Sequence, residues 1–351
     1  SMGDTVGSSY GVLTGGDLIL KKGSLMATSG KAGIYSSGIE CGSDLIISGG
    51  ELTAVGGCSG YGKYGYGLIV FGDLTASGGK MSVTGAIGEN GTSVGIYQGS
   101  STGFVKLCGT EIVAKGADNQ NSSYGAIFDG HTEISAGKVT AVGGKSENGD
   151  SVGLYNDTDS ETIISGGELV LSGNDAYMMS LGMFQSSISG GIDLSITGGT
   201  VRANGKSIKG TGDNAASAGI YVYNQLVIKG GNIKSEGMTK DIDTNVCTIT
   251  GGAFAVGDVN EGKVYGYKVS NGYKVTTGDD GEYPYMVMPE KKEDNHGTGG
   301  DSGDNKAAGE GTGEVPGAGE NAGTNTGAGS TYNDTKEEVK TPAVGTISED
   351  S

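Results

Sequence analysis

A block of the form apolar-x-apolar-[ST]-G-G-x-apolar-x-apolar recurs nine times in this chain, and no other feature of the sequence restricts its fold as tightly. The first glycine position falls at Gly15, Gly49, Gly78, Gly109, Ala136, Gly166, Gly198, Gly230 and Gly251. The instances read VLTGGDLIL, LIISGGELTAV, LTASGGKMSV, VKLCGTEIVA, TEISAGKVTA, TIISGGELVL, LSITGGTVRA, LVIKGGNIKS and TITGGAFAV. Apolar and polar residues alternate on both sides of each GG, the period of a strand with one face buried and the other wet. Two positions after the second glycine runs an apolar column: Leu18, Leu52, Met81, Ile112, Val139, Leu169, Val201, Ile233 and Phe254. Two positions before the first glycine runs another: Leu13, Ile47, Ala76, Leu107, Ile134, Ile164, Ile196, Ile228 and Ile249. These columns are the expected core, and the GG between them supplies a corner, because glycine accepts positive φ without steric cost.

Earlier in most units a third strand carries G-[IL]-[YF]-like text: Gly33-Ile34-Tyr35, Gly67-Leu68-Ile69, Gly95-Ile96-Tyr97, Gly153-Leu154-Tyr155, Gly182-Met183-Phe184 and Gly219-Ile220-Tyr221. Three strands per coil of ~30 residues predict a three-sided prism. Parallel strands joined in succession wind right-handed. The predicted fold is therefore all-β, a right-handed three-sided parallel β-helix of about nine coils over residues 1–262. Helical periodicity is absent, which removes leucine-rich and helical repeats. The outward position after GG reads Asp17, Glu51, Lys80, Glu111, Lys138, Glu168, Thr200, Asn232 and Ala253. Its alternating sign through five successive coils predicts direct stacking of consecutive units, since a slip of one coil would set like charges side by side.

Composition agrees with a repetitive architecture: 72 glycines, 5 phenylalanines and no tryptophan do not suit a conventional globular core. All four prolines (Pro284, Pro289, Pro316, Pro342) lie beyond residue 283, as expected of a body whose strands have neighbours on both sides. The segment 263–288, KVYGYKVSNGYKVTTGDDGEYPYMVM, predicts a β-hairpin cap turning at Asn271-Gly272. Residues Met2 to Leu20 are expected to cover the other end. From Pro289 to Ser351 the chain is Gly-rich and acidic with scarcely any large apolar residue, which predicts a disordered spacer.

The net charge of -18 argues against nucleic acid as a partner, and no apolar stretch approaches the length of a membrane helix. The body holds one arginine, Arg202. The four cysteines (Cys41, Cys58, Cys108, Cys247) form neither a disulfide framework nor a CxxC site, leaving a Cys41–Cys58 bridge open and Cys247 in a core column. The opening SMG reads as an expression scar.

The run from GIYSSGIECGSDLIISGGELTAVGG to SAGIYVYNQLVIKGGNIKSEG resembles the GIY…DLTISGGTVTATGG repeats of secreted and wall-attached proteins of Gram-positive gut bacteria. Among these are proteins described as carrying a carbohydrate-binding domain of β-helical, pectate-lyase-like shape. The resemblance covers roughly Gly11 to Asp258 and implies an extracellular, secreted or cell-wall attached location. Relatives associated with calcium and acidic polysaccharides carry G-D-G-I acid positions, where this chain mostly has G-I-Y.

Chemistry is sparse. Glycoside hydrolysis needs carboxylates converging on one face, and a uronate lyase needs a strong base with cations or arginines. The only histidines are His131 and His296, and Asp279-Asp280 falls in an expected turn, so the catalytic set is read as none. Asp157, Asp159 and Glu161 have the alternate spacing a Ca2+ loop can use, and a solvated turn explains them as well. Tyr35, Tyr97, Tyr155, Phe184 and Tyr221 share one motif position and should point outward in a ladder that could stack on sugar rings or shield the strands beneath. Polar loops (57–63, 86–93, 117–123, 144–151, 173–180 and 205–217) should project from one corner. The expected function is a monomeric, non-enzymatic module binding a polysaccharide or host glycan through the tyrosine face or the loop corner. A structural stalk or protein-binding adhesin is the alternative, and a polysaccharide-cleaving enzyme the third reading.

Overall fold

The computed structural model describes residues 7–58, 64–87, 91–157, 161–186, 191–211 and 215–291. They form a parallel β-solenoid with no helix. The expected spacer from residue 292 onward and residues 2–6 of the expected N-terminal cover lie outside the described residues, while Ser9–Thr14 and Leu18–Leu20 pair onto the next coil.

Three stacks of parallel strands build the body. The first face runs Ser9–Thr14, Tyr35–Cys41, Tyr64–Val70, Thr92–Gln98, Ser123–Phe128, Ser151–Asp157 and Met179–Ser186, then the first halves of Ala216–Ile228 and Lys240–Ile249. The second and third faces lie on either side of each GG corner. About seven turns are stacked on both sides, and a first and a last coil bound them.

Register turns the sequence columns into core. Leu52, Met81, Ile112, Val139, Leu169, Val201, Ile233 and Phe254 stack directly on the third face and are buried. Ile47, Ala76, Leu107, Ile134, Ile164, Ile196, Ile228 and Ile249 do the same on the second. On the first face the inward column is Ile39, Leu68, Ile96, Ala126, Leu154, Met183, Ile220 and Ile242. Each fully buried Leu or Ile contributes about 1.5–3 kcal/mol. At the corners the second glycine takes positive φ, for example 80° at Gly50 and 79° at Gly167, where the path turns too sharply for a β-carbon.

The first unit is out of phase with the other eight. Gly15-Gly16 sits between the first and second faces, so Leu13 pairs with Glu40 and is 57% exposed. The residues that continue the core columns are Leu20, beside Ile47, and Leu25, beside Leu52, around a corner at Lys22-Gly23. VLTGGDLIL reproduces the alternation of the motif, and alternation alone does not reveal which corner a glycine pair turns. For the same reason Asp17 falls outside the charge column, where Ser24 precedes Glu51. From Glu51 to Glu168 the alternating signs do lie side by side, with Lys80–Glu111 at 3.3 Å and Lys138–Glu168 at 3.2 Å.

The C-terminal end is closed by a hairpin whose turn differs from the expected one. Tyr273–Thr277 pairs antiparallel with Tyr285–Pro289 across a loop over 278–284, and the latter strand pairs antiparallel with Gly252–Phe254 of the last coil. Gly272 turns the chain into this hairpin, while the tight turn at Tyr265-Gly266, both with positive φ, joins two strands of a small separate sheet. Tyr265 Oη donates to Ile233 O at 3.1 Å and accepts from Ser235 N at 2.9 Å, so a side chain completes the ladder where no further strand follows. All four cysteines are free: Cys41 is buried and Cys58 exposed, so the open question of a bridge is answered in the negative.

Candidate functional site

The glycine that opens each first-face triplet, from Gly38 to Gly219, lies inside the prism against the third face. A β-carbon at Gly125 would fall on Val142 N and Gly153 O, and one at Gly153 on Gly182 O and Ser172 N. This contact sets the first face close to the core and turns the next side chain but one outward. The outward column reads Glu40, Ile69, Tyr97, Ile127, Tyr155, Phe184, Tyr221 and Asp243. Tyr97, Tyr155, Phe184 and Tyr221 therefore share one position, as expected. Tyr35 does not: the true first-face triplet of its coil is Gly38-Ile39-Glu40, Ile34 is 56% exposed, and Tyr35 pairs with Tyr64. The reading of GIY at 33–35 failed because the Gly-Ile pair recurs five residues later, at Gly38-Ile39, and that second copy takes the register.

The rings of this face stack on one another along the solenoid. Tyr155 and Phe184 lie 4.9 Å apart with planes 9° from parallel, Tyr124 stacks on Tyr155 at 5.7 Å, and Tyr221 meets Phe184 edge-on at 5.2 Å. A second run links Tyr10, Tyr35, Tyr66 and Tyr97. Beneath the first run, Val152, Leu181 and Ala218 are buried outside the main core, so the rings roof a small apolar cluster of their own. Tyr124 belongs to this cluster and was missed as a site residue, because SYGAIF breaks the G-[IL]-[YF] text.

Three of the tyrosine hydroxyls are held by acids. Tyr97 donates to Asp129 at 2.9 Å, Tyr155 to Asp157 at 2.7 Å and Tyr35 to Glu40 at 2.9 Å. Burial and the neighbouring Asp129 push Tyr97 up to about 12, and burial pushes Tyr124 up to about 12, so both rings remain neutral donors at physiological pH. Burial also raises the carboxyls of Asp129 and Asp150 above the ordinary range.

Many of the remaining acids support the corners, where a strand starts and its backbone N–H would otherwise lack a partner. Asp44 N donates to Asp17 Oδ1 at 3.2 Å, Asp73 N to Asp44 Oδ1 at 2.9 Å and Phe104 N to Asp73 Oδ1 at 2.8 Å. Asp118, Asp150 and Asp193 likewise accept from Lys145 N, Met179 N and Asn224 N. His131 packs its ring on Phe104 and lies 3.5 Å from Glu133. Among the described residues no three histidine, cysteine or acidic side chains converge as metal ligands. Of the Ca2+ candidates, Asp157 holds the Tyr155 hydroxyl, Glu161 starts the next segment, and Asp159 lies outside the described residues.

By contrast, the loops at 117–123, 144–151, 173–180 and 205–211 form a stacked wall. Asn119 bridges to Ser146 and Ala176 to Ile208 in parallel fashion, so the loops continue the strand spacing. Buried serines at the start of the first-face strands pin them: Ser123 Oγ donates to Ala117 O and accepts from Gly144 N, both at 2.8 Å, and Ser180 Oγ donates to Asn174 O and accepts from Lys206 N, both at 2.7 Å. The S-x-G text at the start of most first-face strands carried this signal. On the outer side of the wall a groove of about 480 Å³ is lined by Asp118, Asn119, Gln120, Lys145, Glu147, Asp175 and Lys209, with Ile87 at one end. Ser207 Oγ donates to Asp175 Oδ1 at 2.5 Å and, with nearby Lys145 and Lys206, holds that carboxyl below its usual range. On the inner side, where the loops meet the first face, a second groove of about 430 Å³ runs past Tyr64, Thr92, Asn121, Asn148, Asp150 and Met178.

No protein-family model matches the chain, and no curated protein or solved structure is detectably similar to it.

Proposed function

We propose that this chain is an extracellular, non-enzymatic binding or adhesion module of a bacterial cell-surface protein, and that it holds carbohydrate at the loop corner rather than on the ring column. The observation that carries the reading is the pinned loop wall, whose two grooves are lined by amides, carboxylates, hydroxyls and lysines drawn from successive coils. Rigid loops with converging polar groups and little enclosed apolar volume suit a ligand rich in hydroxyls. The resemblance of the repeat text to wall-attached carbohydrate-binding proteins supports the same reading. The ring column supports it less, because a sugar needs a free aromatic face and Tyr124, Tyr155 and Phe184 cover one another's faces.

Affinity electrophoresis through gels containing plant and host polysaccharides tests the proposal. Retardation by at least one polysaccharide is expected, reduced by substitutions in the loop wall such as Gln120→Ala and Asn148→Ala. Migration unchanged across a broad panel overturns it. The roofed apolar cluster favours a second reading, a structural stalk or protein-binding adhesin in which the rings serve stability alone.

A further inference from the structure

The inner groove differs from the outer one in charge, and the difference defines a ligand. Resting on the carbohydrate reading above, we infer that the inner groove is a subsite for neutral pyranose sugars and rejects uronates. Tyr64 stacks one face on Tyr66, with centroids 5.8 Å apart and planes 20° from parallel, and remains 43% exposed at the groove. Unlike the rings of the column, it has no second stacked ring among the described residues and offers a face to a sugar's C–H surface. Asn148 brings a carboxamide with both donor and acceptor atoms, and Thr92 adds a hydroxyl. Such groups match vicinal hydroxyls, which also donate and accept.

Asp150 sets the class. It is the only charged side chain among the described residues lining this groove, whereas the outer groove mixes Asp118, Glu147 and Asp175 with Lys145 and Lys209. Its position is fixed, since Oδ1 accepts from Met179 N at 3.0 Å and its own N donates to Ser122 Oγ at 3.1 Å. A fixed carboxylate accepts from sugar hydroxyls and repels a second carboxylate in a partly desolvated site. With no lysine or arginine among the described lining residues, nothing there offsets that repulsion.

Isothermal titration with neutral oligosaccharides (gluco-, manno-, galacto- and xylo-series) and with oligogalacturonate tests the inference on the wild-type chain and on Tyr64→Ala, Asn148→Ala and Asp150→Asn. Tyr64 and Asn148 are exposed, so thermal melting should show both variants folded. The expected result is binding of a neutral series, weakened about tenfold or more by Tyr64→Ala and by Asn148→Ala. Oligogalacturonate should fail to bind the wild type and gain affinity in Asp150→Asn, whose amide oxygen can still accept from Met179 N. Wild-type binding of oligogalacturonate as tight as that of the neutral series overturns the class, and neutral binding undiminished in both alanine variants overturns the groove; either leaves the carbohydrate reading standing. Absence of any glycan binding overturns both.

Discussion

Arg202 grips both carboxylate oxygens of Glu282, a residue 80 positions later in the chain, with Nε–Oε1 at 3.0 Å and Nη2–Oε2 at 3.1 Å. Its remaining nitrogen, Nη1, reaches Glu168 at 3.3 Å, and the guanidinium lies 5.8 Å from the centre of the Tyr283 ring. The single arginine of the body thus ties the loop of the terminal hairpin back onto the third face. The fork geometry of guanidinium fits this two-oxygen contact and lysine would not.

The latch should be pH-dependent. Pairing with Arg202 holds the Glu282 carboxyl below its ordinary value of 4.5, so its contribution is present above that value and is lost as the pH falls through the lowered one. The melting temperature of Glu282→Gln should lie below that of the wild type at pH 7, and the difference should shrink as the pH falls below 4.5 and vanish once the pH has passed the lowered value. A difference that persists in acid would show that something other than the carboxylate is responsible.

The interior glycines of the first face should tolerate no side chain. A β-carbon at Gly125 meets backbone on two neighbouring strands, neither of which can rotate away. Gly125→Ala should cost about 1–3 kcal/mol or more, read by urea unfolding. A neutral effect would mean that the first and third faces can separate freely.

The charge column predicts a register penalty. Lys138 lies between Glu111 and Glu168, and Lys138→Glu would set three acids in a row on adjacent strands. The expected loss is about 1 kcal/mol at low salt, largely recovered in 1 M salt, where the screening length falls to about 3 Å. Loss that is independent of salt would assign the effect to packing of the lysine stem instead.

The ring column should matter for stability and not for sugar. Phe184 sits between Tyr155 and Tyr221 over the cluster of Val152, Leu181 and Ala218. Phe184→Ala should lower stability by about 2 kcal/mol, less than the cost at a fully enclosed site, and leave glycan retention unchanged. Loss of retention in a folded variant would return the site to this face.

Ser151 tests how the loops are held. It is buried, and its Oγ accepts from Asn174 N at 2.7 Å. Ser151→Ala strands that backbone donor at a cost of about 1–3 kcal/mol, and amide exchange should quicken most in the loop around Asn174.

Strand type, core columns and the charge register were all legible in the sequence, because a period of two and a repeated GG are local properties of the text. Ile47, Leu52, Lys80 and Glu111 lie where that period puts them. The phase of the first unit was not legible: Leu13 and Leu18 satisfy the pattern as well as Leu20 and Leu25 do, and only pairing with the second coil separates them. Tyr35 failed in the same way. Nor could a linear reading show that Tyr155 and Phe184 would spend their faces on each other, that Tyr64 would stack on Tyr66, or that Arg202 would find Glu282. Periodicity determines which side of a strand each residue takes. Which coil lies beside which, and therefore which rings, acids and loops meet, is decided only when backbone groups far apart in the chain choose their partners.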